Sequence, residues 1–284
     1  MSVRVAGLRA SVLPDAPRLG TEDRFTFTCR PGVSCFNQCC ADVNIFLSPY
    51  DVLRMKRRLG ITSSAFLDRY ALLPVHKELK LPVVLLRMES GEERRCPFVA
   101  PEGCAIYADR PWPCRMYPLG LAAGHDDQQA PAEEFYFLLR EEVCRGFDAG
   151  RAWTVREWLD DQDVSAYDEF GGAFKELTLH PFFDGEGTLP PEKLHMFYTA
   201  CYDLDTFRQF VFGSTLLERF EVEEELVEQL RYDDEALLRF AFLWLRFSLF
   251  GEETVRPRRE VWEAAEEKMR KGSTPAAVGA GAAS

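Results

Sequence analysis

The chain has 284 residues, of which 46% are hydrophobic and 28% are charged. This length allows one large domain or two smaller ones, each able to bury a hydrophobic core. The formal net charge of −12 argues against a protein that binds nucleic acid, because such proteins usually present a basic surface to the phosphate backbone.

The first half of the chain is predicted to be irregular and rich in cysteine. Residues 1–24 are expected to be an irregular lead-in, since Pro14 and Pro17 interrupt regular structure. These residues lack the apolar core of a secretory signal, so we expect a cytoplasmic protein. Residues 25–150 are predicted to form a cysteine-cluster, metal-binding domain of loops and a few short strands, because Gly, Pro, Ser and Asn crowd the cysteine-bearing segments.

A helix is predicted after the first cysteines, with Ser48 as its N-cap and Asp51 three residues later. Pro49 suits the first turn of this helix, and Gly60 is expected to end it. The other elements predicted in this half are a helix that starts at Thr62 or Ser63, a buried strand at residues 81–88, a loop at residues 96–118 and a strand at residues 135–139.

The second half is predicted to be mostly helical, over residues 151–271. Thr154 and Glu157 have the spacing of a capping box, and further helices are predicted at residues 191–202, 205–212, 216–231 and 234–250. Arg239 and Arg246 interrupt the last and most apolar of these, so we expect no membrane span, which needs roughly 20 apolar residues. Residues 272–284 are small and predicted to be disordered. The predicted fold class is α+β, with a loop-rich cysteine-cluster domain followed by a mostly helical part.

Cysteine is the residue type whose distribution departs from an ordinary composition. Eight of the nine cysteines lie before residue 150, and they are Cys29, Cys35, Cys39, Cys40, Cys96, Cys104, Cys114 and Cys144. In a reducing cytosol, clustered cysteines are more often metal ligands or redox groups than disulfides. The ninth, Cys201, is predicted to be a small buried hydrophobic residue. We therefore predict that the eight clustered cysteines are the ligands of a metal centre.

The spacing of the cysteines favours an iron–sulfur cluster, of the 4Fe–4S type, over zinc. Thiolates suit both metals, but zinc ribbons usually contain paired C-x2-C motifs, and this sequence has none. Cys39 and Cys40 are adjacent, and adjacent side chains of an extended backbone point to opposite sides. The two could therefore serve different centres, or one could be a ligand while the other packs. Eight thiolates could hold either two four-thiolate centres or one centre with spare cysteines.

Four further residues are candidates to contact the bound cofactor. Arg110 and Arg115 flank Cys114, and their charge would offset that of a thiolate cluster or recruit an anionic substrate, unless they pair with surface carboxylates. Tyr107 and Tyr117 would pack on the centre or donate a hydrogen bond to it, with core packing as the alternative role. No catalytic residue is predicted, because the sequence has no phosphate loop, nucleophile elbow or zinc-protease helix.

Four short motifs in this region resemble those of a known family. They are C-P-F at residues 96–98, G-C-A-I-Y at residues 103–107, R-P at residues 110–111 and C-R-M-Y-P at residues 114–118. Together with the group that ends in Cys39 and Cys40, they resemble the YkgJ-type cysteine-cluster family, described as zinc- or iron-chelating. The resemblance covers about residues 25–148 and implies that Cys144 is the final cysteine of the family. Members often end the first group in C-x2-C-C, whereas this chain has C-x3-C-C.

The residues and the resemblance together imply three kinds of function. The first is an iron–sulfur protein that exchanges electrons with a partner or supports redox-coupled chemistry. The second is a zinc-stabilised module whose helical half binds a partner protein. The third is a protein methyltransferase, since flagellin lysine N-methylases share the cysteine motif and are linked to an iron–sulfur cluster; this sequence shows no adenosylmethionine-binding fingerprint. Of the three, we expect the iron–sulfur protein.

Overall fold

Short strands and helices alternate in the first half of the computed structural model, which describes residues 17–74, 79–123, 134–148, 150–185, 187–261 and 263. In chain order they are β1 (Arg24–Phe27), β2 (Phe46–Leu47), α1 (Pro49–Leu59), α2 (Ser63–Tyr70), β3 (Ala71–Leu72), β4 (Val84–Leu86), β5 (Val99–Ala100), β6 (Gly103–Cys104), α3 (Trp112–Met116), β7 (Leu119–Ala123), β8 (Glu134–Leu138) and β9 (Arg151–Thr154). Nearly all of these elements are very short, so loops and turns determine most of the local shape.

Helices dominate the rest of the chain. They are α4 (Val155–Asp161), α5 (Ser165–Thr178), α6 (Pro191–Tyr202), α7 (Leu204–Gly213), α8 (Leu216–Arg219), α9 (Glu224–Tyr232) and α10 (Asp234–Phe250), with the short strands β10 (Phe220–Glu221) and β11 (Arg256–Pro257) among them. The fold class is α+β with short strands, as predicted. None of the described helices is long and apolar enough to cross a membrane. The predicted tail, and residues 1–16 of the predicted lead-in, lie outside the described residues.

Helix α1 forms where the sequence predicts it, because local signals fix both of its ends. The Asp51 N–H donates to Ser48 Oγ (3.1 Å) and the Ser48 N–H donates to Asp51 Oδ2 (2.7 Å), which completes a capping box. Gly60 ends the helix with a φ of 64°, a left-handed conformation that favours glycine. Helix α2 also follows its predicted N-cap, Thr62.

Two predictions of local structure are wrong. Residues 96–118, predicted as a loop, contain the β5–β6 hairpin, a 3₁₀ turn and helix α3; prolines at 111 and 113 are tolerated there because they lie at the start of α3. Residues 216–231, predicted as one helix, break into α8, β10 and α9. Phe220 pairs with Pro257 across the β10–β11 ladder, and this distant pairing overrides local helix propensity.

The β1–β9 pair brings distant parts of the chain together beside the first cysteines. These strands are antiparallel, with Phe25 opposite Trp153, and no local pattern in the sequence predicts either of them. Immediately after β1, the Thr28 N–H donates to the Gly146 carbonyl (2.9 Å). The loop that starts at Cys29 therefore lies against the segment that contains Cys144.

Two hydrophobic cores support this arrangement. The larger joins α1, α2 and β4 to helices of the second half, with Leu53, Phe66, Phe197 and Leu237 among its fully buried members. The smaller lies beneath β1, β9 and α4, and its buried residues are Phe25, Phe27, Met116, Leu119, Trp153, Val155, Trp158 and Val164. Cys96 and Cys104 pack at the margin of the larger core, while Cys144 packs at the margin of the smaller one.

A partly buried ion-pair network fixes α1 to the second half of the chain. Lys56 Nζ lies 3.0 Å from Asp205 Oδ2 and 3.1 Å from Asp234 Oδ2, and only 7% of the Lys56 side chain is exposed. Arg208 pairs with both carboxylates from another side. Burial raises the pKa of Asp234, but hydrogen bonds from Arg208 and Lys56 outweigh burial and hold the pKa below its usual value.

Candidate metal centre

The nine cysteines differ sharply in exposure. None of them forms a disulfide; Cys201 is buried, Cys29 and Cys114 are exposed, and the other six are partly exposed. Cys201 has no exposed surface in the larger core, as the sequence predicts for a cysteine that packs as a hydrophobic residue. The remaining eight are at least partly exposed; Cys104 lies in β6 and Cys114 in α3, and the other six lie in loops.

Four thiols gather at the end of the β1–β9 sheet and form what we call the strand-side set: Cys29, Cys35, Cys39 and Cys144. Burial, and after it the thiols of the other three members, raise the pKa of Cys29 to about 11. The backbone N–H of Arg145 donates to Cys35 Sγ (3.1 Å), which places Cys35 next to the Cys144 segment. The four cysteines are therefore neighbours although the chain separates them widely.

Consecutive turns shape the loop that contains three members of this set. The backbone bonds Phe36 N–H to Val33 O (2.9 Å) and Gln38 N–H to Cys35 O (3.0 Å) close two of these turns. Asn37 adopts a left-handed φ of 68°, and its side-chain amide donates to the Ala100 carbonyl (2.8 Å). Asparagine among prolines and glycines marks a loop in the sequence, and it is a usual residue for a left-handed turn position.

The other four thiols gather around the β5–β6 hairpin and form the hairpin-side set: Cys40, Cys96, Cys104 and Cys114. The Cys96 N–H donates to the Cys40 carbonyl (2.8 Å), and Ala41 forms a β-bridge with Arg95. Within the hairpin, Val99 lies opposite Cys104. Burial raises the pKa of the Cys96 thiol, while the N–H groups of Phe98 and Val99 lower it. Burial also raises the pKa of the Cys104 thiol, while the N–H of Ile106 lowers it.

Helix α3 supplies Cys114, the remaining member of the hairpin-side set. The Trp112 N–H donates to Asp51 Oδ1 (2.7 Å), which attaches the start of α3 to α1. Burial raises the pKa of Asp51 to about 6. Cys114 is exposed to solvent, yet surrounding atoms desolvate its thiol and, with Cys96 and Cys104, raise its pKa. Cys114 is therefore accessible to solvent although neighbouring atoms crowd its thiol.

Cys39 and Cys40 lie where the two sets meet. The expectation of an extended backbone is wrong here, because the Cys40 N–H donates to the Asn37 carbonyl (3.2 Å) and closes a turn. The two thiols interact directly: the Cys40 thiol donates to Cys39, which lowers the pKa of Cys39 to about 7 and raises that of Cys40. Adjacent cysteines thus touch each other while their other thiol neighbours differ.

Arg110 is a buried cation that faces thiols from both sets. It is 7% exposed, donates to the Tyr107 carbonyl (2.6 Å) and to Gln162 Oε1, and stacks 3.7 Å from the Tyr107 ring centre. No described carboxylate forms a salt bridge with it. It lowers the pKa of Cys29 and of Cys104. A positive charge beside several thiols stabilises their anionic form.

Arg115 is held by main-chain carbonyls rather than by cysteines. It is 3% exposed and donates to the carbonyls of Arg110 (3.0 Å), Gln162 (2.6 Å) and Ala108. These bonds attach α3 to the end of α4, and Gln162, which the sequence analysis does not identify, is the shared partner of both arginines. Contact between Arg115 and a cofactor stays a prediction, as it does for Tyr107, which is 58% exposed.

Tyr117 presents a buried hydroxyl beside the strand-side set. Among the described residues this hydroxyl has no hydrogen-bond partner. Burial raises its pKa, and the neighbouring thiol of Cys144 raises it further. A buried hydroxyl without a partner costs about 1–3 kcal/mol, so such a group usually faces an acceptor. A thiolate that binds a metal would be an acceptor of this kind.

The donor set fits a metal group by its chemistry. It consists of soft sulfur ligands, a buried cation that offsets negative charge, and an unpaired donor. Over the ranges that the structure describes, no three His, Cys, Asp or Glu side chains are grouped so that they could hold a metal ion. The thiols of each set are thus neighbours that do not form a closed coordination shell.

Comparison with family models matches residues 28–145 to the CxxCxxCC family, described as a putative zinc- or iron-chelating domain. Comparisons with the curated proteins and with the solved structures find no match. The matched segment contains all eight members of the two sets, and the chemistry that its description names is chelation of zinc or iron. Metal binding is therefore the supported function of this part of the chain. Residues 28–145 are therefore similar to the YkgJ-type CxxCxxCC family, whose domain is described as putative zinc- or iron-chelating.

Proposed function

We propose that this protein holds a cysteine-ligated iron–sulfur cluster of the 4Fe–4S type and works in electron transfer or redox-coupled chemistry. The observation that carries the proposal is the gathering of eight free thiols outside the cores. Free cysteines without a ligand role are usually buried, as Cys201 is. Their spacing lacks the paired C-x2-C motif of zinc ribbons.

The electrostatics around the thiols support a cluster that carries net negative charge. Four thiolates on a 4Fe–4S core leave such a charge, and hydrogen bonds and nearby charges set the potential of these centres. Arg110 supplies a buried positive charge without a described carboxylate partner. The unpaired hydroxyl of Tyr117 supplies a donor beside Cys144. Both groups would stabilise the cluster without being its ligands.

Exposure of part of the site supports exchange of electrons with a partner protein. Cys29 and Cys114 are exposed at the surface, so a cluster that they help to hold would lie within reach of a docked partner. Free thiols of this kind persist in a reducing compartment, so the proposed location of the protein is the cytoplasm. When bound, the cluster would accept and release single electrons, while the chain orients its ligands and screens its charge.

Anaerobic purification followed by optical spectroscopy tests the proposal. The protein should be brown, and dithionite should bleach its visible absorption reversibly. The Cys201→Ala variant is the matched control and should keep the colour, because the Cys201 side chain is fully buried in the larger core. Colourless protein that contains only zinc would contradict the iron–sulfur proposal and favour the zinc-stabilised module that the family description also allows.

A further inference from the structure

The two sets of thiols are held by different parts of the fold. The strand-side set depends on the end of the β1–β9 sheet, where the Thr28 N–H bonds to the Gly146 carbonyl (2.9 Å) and the Arg145 N–H bonds to Cys35 Sγ (3.1 Å). The hairpin-side set depends on the β5–β6 hairpin and on α3, which is attached to α1 through Asp51. Each set therefore has its own backbone support.

We propose that the two sets hold two separate metal groups, and that the chain passes from one group to the other between Cys39 and Cys40. The inference rests on the proposed metal function and deepens it. Each set contains four cysteines, which is the number of thiolates that a 4Fe–4S cluster or a structural zinc ion requires. All eight clustered cysteines are used, and the buried Cys201 is the one thiol outside the two sets.

The contacts around residue 40 place the division at this point. From Cys40 onward the backbone belongs to the hairpin side, because the Cys40 carbonyl accepts from the Cys96 N–H (2.8 Å) and Ala41 bridges Arg95. Before Cys40, the Cys35 thiol accepts from the Arg145 N–H beside Cys144, while the Asn37 side chain donates to the Ala100 carbonyl of the hairpin (2.8 Å) and holds the loop against it. Cys39 can therefore be a ligand of the strand-side metal group, and Cys40 a ligand of the hairpin-side group.

Apart from the contact between Cys39 and Cys40, which is the strongest between any two of these thiols, the thiol–thiol interactions of Cys29 and of Cys114 stay within one set. Cys29 interacts with the other three members of the strand-side set, and Cys114 interacts with Cys96 and Cys104. The contact between Cys39 and Cys40 is the one that joins the sets. It implies that the two metal groups would be adjacent.

Arg110 supplies a reason why two negatively charged groups can lie side by side. Adjacent thiolate-ligated groups repel each other, and this repulsion opposes binding of the second group. Arg110 acts on Cys29 of one set and on Cys104 of the other. A buried guanidinium between the two sets would offset part of the repulsion.

The rival arrangement is a single centre with spare cysteines. It predicts that four thiols are essential and that substitution of the other four leaves metal content unchanged. Two centres predict a different pattern, because loss of any one ligand should affect only the group to which that ligand belongs. Double substitutions separate the two arrangements more sharply than single ones.

The experiment compares metal content in four variants of the anaerobically purified full-length chain. Cys144→Ser removes a strand-side ligand and Cys96→Ser a hairpin-side ligand, and each should lose half of the metal. Adding Cys39→Ser to Cys144→Ser should cause no further loss, because both belong to one set. Adding Cys39→Ser to Cys96→Ser should remove all of the metal.

Two outcomes would overturn the division. One is complete loss of metal in both single variants while circular dichroism reports an intact fold. The other is equal metal content in the two double variants. Native mass spectrometry of the unsubstituted protein decides the matter if a variant fails to fold, since it should count two metal groups per chain. One group per chain would refute the division and leave the proposed function intact, whereas no metal at all would refute both.

Discussion

The backbone N–H of Cys96 donates to the carbonyl of Cys40 over 2.8 Å, and this bond joins the two cysteine-rich segments of the chain. The bond places Cys40 beside the β5–β6 hairpin, while its neighbour Cys39 interacts with the strand-side set. Backbone contacts rather than cysteine spacing therefore determine which thiols are neighbours. Sequence spacing alone groups Cys40 with Cys29 and Cys35.

Replacement of Arg110 should shift the reduction potential of the proposed cluster. Arg110→Leu removes a buried positive charge. Without this charge the oxidised, less negative form of the cluster is favoured, so the reduction potential should fall by about 60 mV, or roughly 1.4 kcal/mol for one electron. Spectroelectrochemical titration of the anaerobic protein measures it. Arg110→Lys keeps the charge and is the matched control. Equal shifts in both variants would mean that packing of the guanidinium on Tyr107, not its charge, is what matters.

Removal of the Tyr117 hydroxyl should have opposite effects on the metal-free and metal-loaded protein. In metal-free protein the hydroxyl is buried without a described partner, so Tyr117→Phe should raise the free energy of unfolding by about 1 kcal/mol. In loaded protein the same change removes a donor to a thiolate and should hasten metal loss to a chelator. Urea denaturation and chelator kinetics measure the two effects. Unchanged kinetics would show that the hydroxyl does not face the metal group.

The Lys56 network should contribute more to stability at neutral pH than at acid pH. Lys56→Met leaves two partly buried carboxylates, Asp205 and Asp234, without their central cation and should cost about 3 kcal/mol at pH 7. Both carboxylates have a pKa below the usual value in the folded protein. Their contribution is therefore present above the unfolded pKa near 3.8 and is lost as the pH falls through the folded values.

Urea denaturation of wild type and Lys56→Met at pH 7 and pH 3 measures this difference. Arg58→Met is the matched control, because Arg58 lies on the same helix and its side chain is exposed, and it should change stability by no more than about 0.5 kcal/mol. A difference between wild type and Lys56→Met that does not shrink at pH 3 would contradict the electrostatic explanation.

Replacement of Cys201 should reduce stability without reducing metal content. The residue has no exposed surface in the larger core, so Cys201→Ala creates a small cavity and should cost about 1 kcal/mol. Elemental analysis and urea denaturation of the same preparation measure both quantities. A fall in metal content at unchanged stability would place Cys201 among the ligands.

Local signals account for the parts of the fold that the sequence predicts correctly. Ser48, Asp51 and Gly60 fix the ends of α1 through contacts within a few residues, so no distant partner is needed. The break between α8 and α9 and the strand β1 depend instead on distant parts of the chain. Phe220 leaves the helical conformation because it pairs with Pro257, and β1 exists because β9 lies beside it. Such partners are far away along the chain and leave no local pattern.

In the candidate site, too, the sequence predicts what depends on local pattern and misses what depends on distant contacts. Its residue types are evident from the sequence, since cysteines that cluster in loops have few other roles. Their division into a strand-side and a hairpin-side set is not evident, because it depends on contacts such as that between Arg145 and Cys35. Gln162 is missed for the same reason, since its partners Arg110 and Arg115 lie on a distant segment.

Analysis of iron, zinc and acid-labile sulfide in the anaerobically purified wild-type protein tests the central claim most directly. The proposed iron–sulfur chemistry predicts iron and sulfide in equal amounts, with four of each for every 4Fe–4S cluster, and little zinc. Protein that contains zinc without sulfide would contradict the iron–sulfur assignment, and protein without any bound metal would contradict the account as a whole.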